Sequence, residues 1–308
     1  MPDPNHLWNV PATLLSGQCF RWCRSPDGEW YHVAGDTVIG LVPVAGGVRW
    51  QTFPLADQWE KVTRAFRLEV NLDDLYHQWA TSSTEIAAAV AAYRGMRVMR
   101  QETIEVFFAF LCASCNTIVK IQRSVRWLAT RYGYPICTIN GLTFHRFPDA
   151  RALAEASEEE LRAARWGFRA PRVIELAQMI ADFPDDWFHQ LSQIEYQEAR
   201  QQLVALFGIG LKIADCICLF GLGHDEAAPI DTHTRRAAER LISGSMPRTL
   251  TINHYERLAE TMRRLFCRPG WAQQYFFAEA VLSPAALINP NSAVSEQMIL
   301  PEARRLAG

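Results

Sequence analysis

The chain is poor in lysine. Of its 31 basic residues only Lys61, Lys120 and Lys212 are lysines, the other 28 being arginines, so each lysine is worth asking about as a chemical group rather than as bulk charge. An excess of one sign is missing too: 31 basic against 33 acidic residues give a net charge of −2, which argues against a protein that coats nucleic acid indiscriminately. No run in the 308 residues approaches the roughly 18 continuous apolar residues a membrane span needs, so no membrane partner is expected. No closely spaced four-cysteine array stands near the C-terminus, which removes support for an iron–sulfur cluster. The eight cysteines (19, 23, 112, 115, 137, 216, 218 and 267) are scattered behind a polar, proline-punctuated N-terminus without a signal-peptide pattern. A reduced, cytoplasmic protein is the expectation. Cys112-x-x-Cys115 has metal or redox spacing, but it lies in an apolar helical run without a second pair and reads as two small core residues.

What is present is enough apolar material, 49% of residues, for a real core without staples. Residues 14–53 read as strands and turns: Trp30 to Val33, Val38 to Val42 and Val48 to Phe53 are separated by Gly35-Asp36 and Gly46-Gly47. That predicts an antiparallel meander. From Leu55 the period turns helical, over 56–67, 72–80 after Asn71, and 84–93 after Ser83, with a break at Arg94-Gly95. Further helices are expected at 101–113, 117–130, 149–155, 158–164, 170–181, 187–192, 195–206, 211–220, 232–243, 251–266 and 271–281, with 134–148 as an irregular connection. The fold class is therefore α+β, an N-terminal antiparallel sheet domain followed by an all-helical region. Within 231–268 eight arginines face four acids, and a phosphate backbone would be met there.

The segment 203–220 reads helix, tight turn, helix. Gly208 and Gly210 flank one apolar residue, which lets the backbone turn sharply and leaves amide N–H groups unpaired at the start of the second helix. Those amides suit a phosphate contacted without regard to sequence. Lys212 sits in the first turn of that helix, where a cation opposes the helix dipole and the free amine needed for covalent catalysis is favoured. The plain alternative is a solvated Lys212 paired with Asp215. Cys216, four residues on, shares the face of Lys212. In Pro229-Ile-Asp231-Thr-His233, Asp231 is the natural N-cap of the next helix, a carboxylate able to stand beside a developing cation, though N-capping is itself a common structural role. His233 either lines a pocket or satisfies core hydrogen bonds.

Together these residues resemble the helix-hairpin-helix (HhH-GPD) superfamily of DNA glycosylases, most closely its 8-oxoguanine DNA glycosylase/AP lyase family. The resemblance runs through Ser16-Gly-Gln-Cys-Phe-Arg-Trp22, Tyr76-His-Gln-Trp79, Gly95 to Gln101, the helix pair around Asn116, Phe147-Pro148, Gly167 to Ala170, Gly208 to Leu219, Pro229 to His233, and Gly270-Trp-Ala-Gln273. It implies a TBP-like N-terminal domain over 1–94 and a helical glycosylase region over 95–308, with the hairpin at 203–220 and the C-terminal helix packing back on the first domain. By resemblance Lys212 is the Schiff-base lysine and Asp231 the essential aspartate. Gly17 offers the backbone carbonyl that accepts the N7 hydrogen of the oxidised purine, Cys216 and Phe277 sandwich the flipped base, Gln273 bonds its Watson–Crick edge, and His233 meets the sugar-phosphate. Gly208 and Gly210 present the hairpin backbone to DNA.

The resemblance further implies a monomeric partner of double-stranded DNA carrying an oxidised purine, cytoplasmic on a nucleoid or else nuclear. It calls for no cofactor and leaves room only for a structural cation at the hairpin.

Four positions depart from the family. Its contacts to the orphaned cytosine, an Asn and two Arg, fall here on Cys115, Lys120 and Arg169, so only the last is kept. Cys lacks the paired amide of Asn and Lys the planar fork of Arg, and weak discrimination of the opposite base is expected. Phe207 replaces the hairpin's usual Pro, and Ala280 an often acidic residue. Two other readings remain: an alkylpurine glycosylase working through Asp231 and water, and a non-enzymatic damaged-DNA binder.

Overall fold

The computed structural model describes residues 8–25, 27–113, 116–242, 249–283 and 287. A first helix, α1 (Val10–Leu15), precedes four strands, β1 (Trp22–Arg24), β2 (Trp30–Ala34), β3 (Thr37–Val44) and β4 (Gly47–Phe53), which form one antiparallel sheet in the order β1-β2-β3-β4. The expected meander is there, but its start is corrected: residues 14 and 15 are helical, because Asn9 caps α1 by accepting from Ala12 N and Pro11 stands in its first turn. Alternation sorts the strands' side chains. Trp30, Ile39, Leu41 and Val48 face one core with Val62 and Phe66, while Tyr31, Val33 and Val38 face the other way.

Helices α2 (Trp59–Phe66), α3 (Leu72–Ser82) and α4 (Ala87–Tyr93) follow, then α5 (Thr103–Ala113) and α6 (Ile118–Tyr132). Where an irregular connection was expected at 134–148, the chain forms a hairpin of β5 (Pro135–Ile139) and β6 (Leu142–His145). Asn140 and Gly141, at φ 50° and 78°, make the two-residue turn with both central residues left-handed, whose twist suits a hairpin. Its partner is distant in sequence: Phe144 packs on Tyr31 at 5.7 Å between ring centroids, covering the outer face of the first sheet.

The rest is helical: α7 (Ala150–Ala154), α8 (Glu158–Ala163), a 3-10 turn (Gly167–Arg169), α9 (Ala170–Ala181), α10 (Trp187–Gln193), α11 (Tyr196–Val204), α12 (Leu211–Ile217), α13 (Thr232–Arg240), α14 (Ile252–Leu265) and α15 (Pro269–Val281). The expected helix 211–220 is α-helical only to Ile217; Cys218–Leu222 is a π-helical turn. The wider turn lays Phe220 flat on Phe110 of α5, 5.4 Å apart and inclined by 9°.

Two helices position everything else. Residues 105–112 of α5 are all buried, as suits a helix without a polar face. Helix α15, buried from Pro269 to Phe276, runs back to the first domain. There the Tyr275 hydroxyl donates to Met96 O (2.6 Å) and meets the Tyr76 hydroxyl (2.6 Å), which accepts from Gly95 N. A buried Arg21–Glu105 pair, Nε to Oε1 2.8 Å, joins β1's approach to α5.

Candidate active site

The hairpin between α11 and α12 is built by residues of opposite character. Ile209 is buried and pins the loop to the core. Gly208 takes φ +86°, a backbone conformation that favours glycine. Gly210 is exposed and caps α12. Lys212, second residue of α12, is half-buried, with its Nζ 5.1 Å from the centre of the Phe110 ring. Burial pushes the Cys216 thiol up to about 12, against the opposing effect of nearby Lys212, so this sulfur is a neutral wall rather than a nucleophile.

Asp231 is the N-cap of α13. Its Oδ1 accepts from His233 N (2.8 Å), Thr234 N (2.8 Å) and the Thr234 hydroxyl (3.1 Å), while the Thr234 oxygen accepts from Asp231 N (3.0 Å). This reciprocal box fixes the carboxylate and commits one oxygen. Its Oδ2 has no hydrogen-bond partner among the described residues.

Lys212 and Asp231 line one pocket of about 490 Å³ with Gly17, Cys216, His233, Gln273 and Phe277. Phe277 is half-buried and meets the His233 ring edge-on, 5.9 Å between centroids. Gln273 is buried, yet its Oε1 has no partner among the described residues, an arrangement that costs free energy until a donor arrives. The walls are apolar and the few polar groups converge, the usual make-up of a small-molecule or base pocket.

Two matches together span most of the chain: the 8-oxoguanine DNA glycosylase N-terminal domain over residues 4–107, and the HhH-GPD superfamily of base excision DNA repair proteins over residues 110–266. An N-glycosylase/DNA lyase of Arabidopsis thaliana is 30% identical over 279 residues, 87% of this chain and 76% of the relative. The chain belongs to the 8-oxoguanine DNA glycosylase family of the HhH-GPD superfamily. It is accordingly a bifunctional DNA glycosylase/AP lyase. The Clostridium acetobutylicum 8-oxoguanine glycosylase/lyase, solved with dsDNA containing cytosine opposite 8-oxoG, shares the fold at a TM-score of 0.78 with 22% identity, over 89% of this chain and 91% of that one. A 3-methyladenine DNA-glycosylase from Archaeoglobus fulgidus does so at 0.70 with 20% identity, over 89% and 95%. Fold alone therefore does not choose the lesion.

In this glycosylase the residues expected at the chemistry and around the base share the pocket with His233, whereas Gly208, Gly210, Lys120 and Arg169 do not line it. Gly208 and Gly210 are on the hairpin surface. Lys120 is exposed in the first turn of α6, next to the pocket-lining residues Asn116 to Val119. Thr117 caps that helix, its side chain accepting from Lys120 N. Arg169 is buried in the 3-10 turn with its guanidinium 4.3 Å from the Phe168 ring centre. Cys115 lies outside the described residues.

Lys212 does not pair with Asp215. That carboxylate points into the core and accepts from the Tyr196 (2.7 Å) and Tyr255 (2.5 Å) hydroxyls. Arg200 Nε also stands 2.7 Å away, close but poorly aligned for a hydrogen bond. Burial pushes the Asp215 carboxyl up, against the pull of Arg200 and both hydroxyls. The Tyr255 oxygen also accepts from Ile230 N at 3.3 Å, so one hydroxyl links the Lys212 helix to the residue before Asp231. Sequence reasoning missed this link, and it missed Gln274, which also lines the pocket. The available signal was two adjacent amides, Gln273 and Gln274, inside an apolar helix.

Proposed function

We propose that this enzyme excises 8-oxoguanine from duplex DNA through a Schiff base on Lys212. The observation that carries the reading is that Lys212 and Asp231, a carboxylate with one oxygen uncommitted among the described residues, line one pocket of about 490 Å³. A flipped nucleotide brings C1′ to Lys212. The amine nitrogen bonds to C1′ as the C1′–N9 bond breaks, and the base leaves with that electron pair and takes a proton from the attacking nitrogen. The Asp231 carboxylate faces the positive character that develops on the sugar. The ring then opens as the nitrogen lone pair forms the C=N bond and the C1′–O4′ bond breaks, O4′ taking a proton from solvent to become a hydroxyl, to give an iminium. That electron sink allows loss of a C2′ proton and departure of the 3′ phosphate, which nicks the strand. Cys216 and Phe277 sandwich the base, Gln273 Oε1 accepts from its Watson–Crick edge, the Gly17 carbonyl accepts the N7 hydrogen, and His233 meets the backbone. The protein acts as a monomer.

An alkylpurine glycosylase using Asp231 and water shares the fold, but direct hydrolysis has no use for an amine beside C1′. Borohydride trapping on duplexes carrying 8-oxoguanine, formamidopyrimidine or an alkylated purine tests the choice. A covalent complex is expected on the first two. Release of alkylated bases alone, with no trapped complex, would overturn the reading.

Opposite-base choice is expected to be loose, since Lys120 is an exposed point charge where planar recognition would need a guanidinium. Excision rates with C, A, G or T opposite the lesion are expected to fall within about tenfold of one another. A strong preference for C would contradict this.

A further inference from the structure

The loop 16–18 presents three successive carbonyls, and the fold treats them differently. Ser16 O accepts from Gln274 Nε2 at 2.9 Å, and Gln18 O from Gln101 Nε2 at 2.9 Å. Gly17 O, between them, accepts from no donor among the described residues. The loop is also gripped from behind. The Gln18 amide donates to Thr13 O (3.0 Å), Ser16 Oγ (2.9 Å) and Arg97 O (2.8 Å), and its oxygen accepts from Met99 N (2.7 Å). Gly17 stands at φ +70°, a conformation that favours glycine, and Ile118 Cδ1 and Phe277 Cε1 lie 3.0 Å from where a Cβ would be.

Among these clamps Gln274 has a distinct place. It is 2% exposed, lines the pocket, and stands on α15 three residues before Phe277. Its bond to Ser16 therefore spans 258 residues of sequence and sets the wall at Phe277 against the rim at Gly17. Taken with Gln101 on the other flank, it leaves Gly17, a pocket-lining residue, with the one carbonyl of the three that is unengaged among the described residues. An acceptor held rigidly attracts a base that carries N–H there and repels one that carries a lone pair, and rigidity converts that difference into selectivity.

We propose that Gln274 is a specificity-determining positioning residue, whose amide holds the Ser16 peptide so that the Gly17 carbonyl meets the N–H of an oxidised purine. The inference rests on the reading of this pocket as a site for such a base. Gln274→Met removes the donor at similar length, and Gln274→Glu keeps the shape while setting a carboxylate against the Ser16 carbonyl. Two substrates separate the possibilities. A duplex with 8-oxoguanine needs the rim, whereas a duplex with a pre-formed abasic site has no base to hold and needs only the amine.

In single turnover, both variants are expected to lose about 10- to 100-fold in 8-oxoguanine release, the equivalent of one buried hydrogen bond. Nicking and borohydride trapping at the abasic site should stay within about twofold of wild type, which also reports that the variants are folded. Equal losses on both substrates would reduce Gln274 to a structural residue and overturn the proposal, as would unchanged release of 8-oxoguanine. A wild-type enzyme that nicks abasic sites but releases no 8-oxoguanine would instead overturn the functional reading beneath it.

Discussion

Lys212→Gln is expected to give no borohydride-trapped complex on any duplex and to lower abasic-site nicking by on the order of 10³-fold or more, with the fold intact. The magnitude follows from the chemistry: an amide nitrogen has no basic lone pair to form the imine, and without the imine there is no electron sink for β-elimination. The second half follows from the surroundings. Lys212 is half-buried, in contact with the Phe110 face and Cys216, and the charge of the core is balanced elsewhere. Its melting temperature should therefore stay within about 2 °C of wild type. Retained excision with lost trapping would mean that the lysine is not the residue that releases the base.

Asp215→Ala is expected to be the opposite case, a large loss of stability from a residue that touches no substrate. Asp215 is fully buried and holds the Tyr196 and Tyr255 hydroxyls and the Arg200 guanidinium. Removal leaves two hydroxyls and most of a cation in the core, with Glu256, 2.8 Å from Arg200 Nη1, the one acid left to answer the charge among the described residues. Breaking a buried pair by removing one partner costs about 3–5 kcal/mol. For a chain of this size that is a fall of roughly 6 °C or more in melting temperature. The loss extends to activity at temperatures where the protein stays folded, because Tyr255 loses its anchor and with it the bond to Ile230 N that steadies the approach to Asp231. A variant melting within about 1 °C of wild type would show that the network carries little.

The two residues divide the molecule by range of interaction. Lys212 and Asp231 were legible because their roles are local. A Gly-x-Gly turn, a lysine in the following first turn and an Asp at a helix start are set within a few residues, and the apolar period that marks the surrounding helices repeats every few residues as well. The same holds for the meander at 22–53, whose alternation and glycine turns specify its register. The hairpin at 135–145 was locally encoded too, by Asn140-Gly141. Yet its strands are only half-buried, and their apolar side chains find their purpose on Tyr31 and Val33 of another domain.

The sequence by itself determined the α+β division, the helical spacing, the hairpin and the identity of the groups that can do chemistry. Only the tertiary structure decided that Lys212 and Asp231 face one pocket, that Asp215 serves the core instead of pairing with Lys212, and that Gln274 reaches Ser16. The physical reason is that a hydrogen bond across 258 residues leaves no trace in local propensity. A buried Gln and a solvated Gln are the same letter, and only packing removes the water that would otherwise satisfy both.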